Sequence, residues 1–322
     1  MSELDTLLIG AINYDIYVPY VNNSTETTSL SDVVRLKIGG GASITAIALA
    51  TLGLSSAVAG SVGRDADIIR SELEERGVRQ VLKKYPDVET AITVVEHYPD
   101  GRKRYRANTK SNRFFTPDDL RKVLPYVARS RVVMRTGYPW MPQIAGKPTA
   151  ELFDYARQHG VTTALDMSNP DSWEQRLLEE LISDVVPNID LLCANENELH
   201  RLARTQNEPQ IDNPELEAYM TPDRALKYAH RLLDRGVSTV NLHYGARGTM
   251  LVTKDGYVHQ EPPRVEKYEN PTGCGNLQNA GVIYCMRNGN DLGYAARFAN
   301  TMAVLRLEGK DFPTLQDIKT RI

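Results

Sequence analysis

One segment near the C-terminus, Asn270-Pro271-Thr272-Gly273-Cys274-Gly275-Asn276, has the composition of an anion cradle and runs straight into an apolar, helix-like stretch, Leu277 to Met286. A glycine-rich turn at a helix start aims unpaired backbone N–H groups and the positive end of the helix dipole at whatever lies in front of it, which suits a phosphate. The same residues would equally make a plain tight turn ahead of a core helix. Asn195 and Glu198, in Asn195-Glu196-Asn197-Glu198, follow an apolar strand at i and i+3 and so share one face of a helix start. A capping network would use the same two residues. Asp15 closes Gly10-Ala11-Ile12-Asn13-Tyr14-Asp15, and Gly39-Gly40-Gly41-Ala42 opens another helix-like run. Leu242-His243-Tyr244-Gly245-Ala246-Arg247-Gly248 reads as a strand followed by a turn.

The elements that must position these residues alternate along the chain. Strands are expected over Thr6 to Ile12, Ala57 to Val62, Arg131 to Thr136, Thr162 to Met167, Ile189 to Ala194, Thr239 to His243 and Met250 to Thr253. Helical spacing covers Ala42 to Leu52, Ile68 to Arg76 and Pro117 to Ala128, and Thr116-Pro117-Asp118 and Thr221-Pro222-Asp223 have the form of N-caps with proline in the first turn. This alternation predicts a mostly parallel sheet covered by helices on both faces. Two places break it. Ile16 to Asn22 with Val33 to Ile38, and Ala91 to His97 with Lys103 to Ala107, read as strands without an intervening helix, the second pair joined by a turn at Tyr98-Pro99-Asp100-Gly101. They are expected to form a small β-rich lid. Thr205 to Thr221 is polar enough to be a surface loop.

Composition narrows the function classes. The 322 residues are 41% hydrophobic and 25% charged, with a formal net charge of −3, so no general attraction to nucleic acid or an anionic membrane is expected. Three scattered cysteines are neither a disulfide framework nor a metal cluster, which favours a reducing compartment. With no signal-peptide pattern and no apolar run of membrane-spanning length, a cytoplasmic protein is expected. A Gly-x-x-x-x-Gly-Lys-Ser/Thr loop, a His-Glu-x-x-His zinc motif and a Gly-x-Ser-x-Gly elbow are all absent from the sequence.

In their order and spacing from Gly10 to Gly309, these segments resemble the ribokinase-like (PfkB) carbohydrate kinases. The resemblance implies one α/β domain over residues 1–322. Its fold is a three-layer α/β/α sandwich with a mostly parallel central sheet and a small lid from about residues 13–40 and 88–110. It implies ATP and Mg²⁺ as cofactors and phosphoryl transfer to a hydroxyl of a sugar, nucleoside or similar small molecule. Gly273, Cys274 and Gly275 match the family's anion hole, Thr272, Gly245 and Gly248 its nucleotide side, and Asn195 and Glu198 its water-mediated metal and phosphate element. Asp15, Gly39 and Gly40 fall at substrate positions. Dimerisation through the lid, as in some family members, and a lid closing over its own cleft are both open.

Several positions depart from the pattern, among them Asn270 where the family's first Asp of this segment aligns, a milder change. The family's catalytic-base Asp aligns with Asn276, and its sugar-contacting Asn with Ile44; Gln278 and Asn279 follow where the family has an aromatic and a small residue. An amide is no useful base, and general-base help is worth ~10²–10⁴-fold. Turnover should therefore be low, and Asn276→Asp is expected to raise it. An apolar Ile44 opposite a buried sugar hydroxyl would cost about 1–3 kcal/mol. The alternative is a catalytically inactive relative that binds nucleotide or another anion in a regulatory or partner role. A purely structural protein would need the glycine-rich turn to bind nothing.

Overall fold

The computed structural model describes residues 4–18, 34–98, 103–168, 174–211, 215–269 and 272–322. In chain order its strands are β1 (Leu4–Ile9), β2 (Asn13–Val18), β3 (Arg35–Gly39), β4 (Ser56–Val62), β5 (Arg79–Lys84), β6 (Ala91–His97), β7 (Lys103–Asn108), β8 (Ser130–Arg135), β9 (Thr162–Asp166), β10 (Leu191–Asn195), β11 (Thr239–His243), β12 (Thr249–Thr253) and β13 (Gly256–Gln260). Nine of them form one sheet in the order β13-β12-β11-β10-β9-β8-β1-β4-β5. From β11 through β5 every pairing is parallel; β12 and β13 add an antiparallel edge.

Strands such as Leu4–Ile9 and Ser56–Val62 are apolar on both sides because helices cover both faces of this sheet. One face packs Leu7, Ile9, Val133, Leu165, Leu192 and Val240 beneath the helices Pro117–Val127, Lys147–Gln158, Glu196–Ala203 and Pro222–Leu233. The other packs Leu8, Val58, Met134, Cys193 and Leu251 beneath Gly41–Thr51, Asp67–Glu75, Cys274–Arg287 and Leu292–Leu307. Burying one such aliphatic side chain is worth about 1.5–3 kcal/mol, so the two-sided strands anchor the architecture. The expected caps form: Thr116 accepts from the N–H of Asp119 in a capping box, and Thr221 accepts from the N–H of Arg224.

The strand sequence reverses direction at β1. From there β4 and β5 lie to one side and β8, β9, β10 and β11 to the other. In parallel sheets the loops at such a reversal diverge, leaving a crevice at the carboxyl ends of the strands.

A second, four-stranded sheet, ordered β3-β2-β6-β7, stands above that crevice. β2 pairs parallel with β6, and the two outer pairings are antiparallel. This is the sheet expected from the interrupted alternation. Ile16 to Asn22 is ordered as strand only to Val18; its remainder, and the turn at Pro99-Asp100-Gly101, lie outside the described residues. Four other expectations change. β1 ends at Ile9, where the chain leaves the sheet to cross into β2; Thr205 to Thr221 contains a helical turn, Glu215–Tyr219, anchored by buried Leu216. β5 and β13 are additional strands: both lie at sheet edges, where one-sided burial weakens the apolar signal.

The two sheets are tied at Gly63, just past β4. Its N–H donates to Thr90 Oγ1 at 3.0 Å, and the N–H of Arg64 donates to the carbonyl of Val88 at 2.9 Å, just ahead of β6. A Cβ at Gly63 would lie 2.2 Å from backbone atoms of Glu89 and Thr90. Gly63→Ala is therefore expected to destabilise the protein by about 1–3 kcal/mol, read as a lower urea midpoint with an unchanged slope. An unshifted midpoint would show that this approach is not tight.

Candidate active site

A cleft of about 680 Å³ lies between the two sheets. The carboxyl ends of the central strands form its floor: Ala11 after β1, Ser168 after β9 and Asn195 at the end of β10. The small sheet supplies its roof through Asn13 and Asp15 of β2, Thr93 and Val95 of β6, and Tyr105 and Ala107 of β7. These alternate positions lie on one face, since Asp15 pairs with Thr93 and Thr93 with Ala107 across the sheet.

Two helices begin at this cleft, Gly41–Thr51 and Cys274–Arg287. Neither has a side-chain cap, so no N-cap side chain takes up their first N–H groups. Gly40 (φ 89°) and Gly273 (φ 85°) occupy their N-cap positions in conformations that L side chains rarely adopt. A Cβ on Gly40 would lie 2.2 Å from the Ala11 carbonyl, which accounts for a glycine there without any ligand. Arg306, buried in the helix Leu292–Leu307, donates from Nε to the Thr272 carbonyl at 2.9 Å and pairs with Asp311. A buried guanidinium thus holds the glycine turn in place and adds positive potential behind it.

Beneath the turn runs a chain of polar side chains that joins the ends of β9 and β11 to the helix Cys274–Arg287. Asp166, at the end of β9 and 8% exposed, accepts from Asn279 Nδ2 at 2.7 Å and from Asn276 Nδ2 at 3.4 Å on the same oxygen, Oδ2; its other oxygen accepts from the N–H of Ser168. Asn279 Oδ1 in turn lies 2.7 Å from His243 Nε2 and accepts from Asn241 Nδ2 at 3.3 Å. Burial pushes His243 down to about 4, so the ring is neutral and donates through Nε2. A Cβ on Gly275 would meet that ring at 3.0 Å, so this glycine also makes room for the histidine. Gln278 likewise has a specific buried position, donating to Thr249 and Asn300.

Asn195 and Glu198 form a capping box: Asn195 Oδ1 accepts from the N–H of Glu198 at 2.9 Å, and Glu198 Oε2 accepts from the N–H of Asn195 at 2.8 Å. Asn195 also lines the cleft, whereas Glu198 lies just behind it. Burial raises the Glu198 carboxyl, with the Asp166 charge adding to it; Asp166 is raised by its own burial. Asp15 is pushed up to about 7, chiefly by burial, against the opposing pull of the Asn13 hydrogen bond (2.6 Å) and of Arg306.

A model of the pfkB family of carbohydrate kinases matches residues 4–311 of the chain. The chain belongs to that family. A 5-dehydro-2-deoxygluconokinase of Photobacterium profundum is 22% identical over 313 residues, covering 95% of this chain and 89% of the relative. The structure of Arabidopsis thaliana ribokinase with ribose and ATP matches with a TM-score of 0.79 at 21% identity, over 99% of this chain and 98% of that one. A ribokinase from Cryptococcus neoformans in complex with ADP matches with a TM-score of 0.77 at 20% identity, over the whole of both chains. The ribokinase-like architecture is thus shared from end to end.

Within this pfkB fold Asp15, Gly40, Ile44, Asn195, Thr272, Gly273 and Asn276 line a single cleft. Cys274 and Gly275 lie in the first turn behind it. Three expected positions lie outside this lining. Gly39 is not in the lining; a Cβ there would lie 2.3 Å from the Asp15 carboxyl, so its absence makes room for that side chain. Gly245 and Gly248 belong to the turn between β11 and β12 and stand outside this cleft; a Cβ on Gly248 would strike the Gln260 carbonyl at 2.1 Å. Asn270 and Pro271 lie outside the described residues.

The raised Asp15 has a consequence for stability. Its carboxyl binds a proton more tightly folded than unfolded, so stability is highest at low pH and falls as pH rises from the unfolded value near 4 through about 7. Asp15→Asn removes that loss. The variant should gain about 2–4 kcal/mol on the parent between pH 4.5 and 8, read from urea midpoints at the two pH values. A difference that stays constant with pH would show that Asp15 is an ordinary carboxylate.

Proposed function

We propose that the protein is a cytoplasmic, ATP-dependent kinase that transfers a phosphoryl group to a hydroxyl of a sugar-like small molecule. The observation that carries this reading is the pair of uncapped helix N-termini, at Gly41 and Cys274, at one cleft that Asp15 also lines. Such an arrangement attracts a phosphate and offers a carboxylate acceptor to hydroxyls. The backbone N–H groups of Gly273 to Gly275 would steady the transferring group, where charge accumulates in the transition state. Asp15, oriented by Asn13, would hold the acceptor molecule, and Asn276 would align its reacting hydroxyl. Ile44, 4% exposed in the lining and close to Gly273, supports an acceptor with an apolar edge there.

No group of three or more His, Cys, Asp and Glu side chains among the described residues could hold a metal ion. Asn195 and Glu198 are hard oxygen donors, with the Asp166 carboxylate nearby, and they fit a magnesium ion held through water. When bound, that ion supplies charge neutralisation to the phosphate oxygens. The three cysteines form no disulfide, which supports a reducing compartment. Among the described residues no helix is long and apolar enough to cross a membrane.

The amide at Asn276 favours a second reading, a relative that binds nucleotide without turning it over. Calorimetric titration with ATP, with and without Mg²⁺, tests the shared part of both. Saturable binding that weakens on removal of Mg²⁺ is expected, followed by ADP formation with at least one member of a panel of sugars and nucleosides. Binding without any ADP formation would establish the silent reading. No binding up to millimolar ATP would overturn both.

A further inference from the structure

The family-based expectation that a carboxylate at position 276 would restore activity leaves out what lies beneath it. Asn276 lines the cleft, yet its Nδ2 is turned 3.4 Å from Asp166 Oδ2, and a Cβ at Gly41 would meet the same nitrogen at 3.2 Å. An ionised carboxylate only accepts hydrogen bonds, so it selects the NH₂ edge of the amide. Asn279 presents its own NH₂ to the same oxygen at 2.7 Å and is oriented from behind by His243. All of these bonds run one way, from neutral donors into Asp166. The planar Asn276 amide is then left with its carbonyl oxygen for the cleft.

We propose that Asp166 is a positioning residue that fixes Asn276 as a neutral hydrogen-bond acceptor for the substrate hydroxyl, and that the carboxylate and amide of this pair are interchangeable only together. This inference rests on the kinase reading for its catalytic consequence, but not for the contact itself. A single Asn276→Asp change would set two carboxylates oxygen to oxygen at hydrogen-bond distance with no donor between them. One of them must turn away or hold a shared proton; in either case position 276 does not act as a free base. Asp166→Asn made in the same chain restores one donor and one acceptor with the positions exchanged. Asn279 can reverse its amide to match if Asn241, which donates to its Oδ1, reverses with it, because neutral His243 can move its proton to Nδ1 and accept through Nε2.

Four proteins test this: the parent, Asn276→Asp, Asp166→Asn and the double variant. Urea midpoints read the contact without any need for a substrate. Asn276→Asp is expected to lower the midpoint, and the double variant to sit at or above Asp166→Asn. Additive shifts would overturn the inference whatever ATP does. ATP calorimetry on the parent judges the kinase reading separately: absence of binding removes that reading and leaves the midpoints to decide the contact. Where ATP binds, ADP formation is measured across the same sugar and nucleoside panel, as kcat and KM. The double variant should exceed Asn276→Asp by about 10²-fold in kcat, the lower end of what a general base contributes, with little change in KM for ATP. Equal turnover in the two variants would overturn the positioning role even if the midpoints are coupled.

Discussion

A carboxylate taken out of water demands partners, and Asp166 is the point in this protein where that demand organises its surroundings. It ends the central strand β9, 8% exposed, with Glu198 also buried nearby. An isolated buried charge is expensive, and hydrogen bonds to the charged form offset much of that. Here the donors are the N–H of Ser168 and two side-chain amides, both from the first turns of the helix Cys274–Arg287. Meeting the needs of Asp166 therefore also sets how the helix start sits over the sheet. The anion-facing turn Thr272 to Gly275 is carried along with it, and Arg306 secures the turn from the opposite side through the Thr272 carbonyl.

The architecture was legible because it rests on patterns with few alternatives. The short runs Leu7-Leu8-Ile9 and Ala57-Val58-Ala59 are apolar on consecutive residues, as a strand covered on both faces requires. Thr116-Pro117 and Thr221-Pro222 marked helix starts by local chemistry that needs no tertiary context. The edge strands β5 and β13 escaped notice because their outer sides are wet, so that their alternation resembles that of a loop. Glu215–Tyr219 escaped because a single buried Leu216 carries the whole element, too little for any period to register.

The site divides along the same line. Residues whose role is set by their neighbours in sequence, such as Thr272 to Asn276 and Asn195 with Glu198, could be picked out as groups. Residues whose role depends on distant segments could not. Asn241, His243 and Asn279 become one network only when β11 and the helix Cys274–Arg287 are packed together. Arg306 looks like any helix arginine until its guanidinium is seen buried against Thr272. Gly39 and Gly248 show the reverse effect. Each had a ligand-binding expectation, and each is explained by a close approach within the protein: the Asp15 side chain in one case and the Gln260 carbonyl in the other.

Position 276 is where the local and distant arguments meet. Taken from sequence alone, an amide in place of a carboxylate reads as a loss, because base strength is a property of the side chain itself. Within the fold, the property that matters is the direction of the hydrogen bond presented to the cleft, and that is set jointly by residues 276 and 166. Phosphoryl transfer through a loose transition state relies more on alignment of the attacking hydroxyl than on early removal of its proton. A fixed carbonyl oxygen can supply alignment without charge. The uncapped helix starts at Gly41 and Cys274 supply positive potential in the same cleft, which lowers the need for a negative group close to an incoming phosphate. An amide at 276 is thus compatible with the electrostatics of the phosphate side, while a carboxylate there would oppose both the phosphate and Asp166.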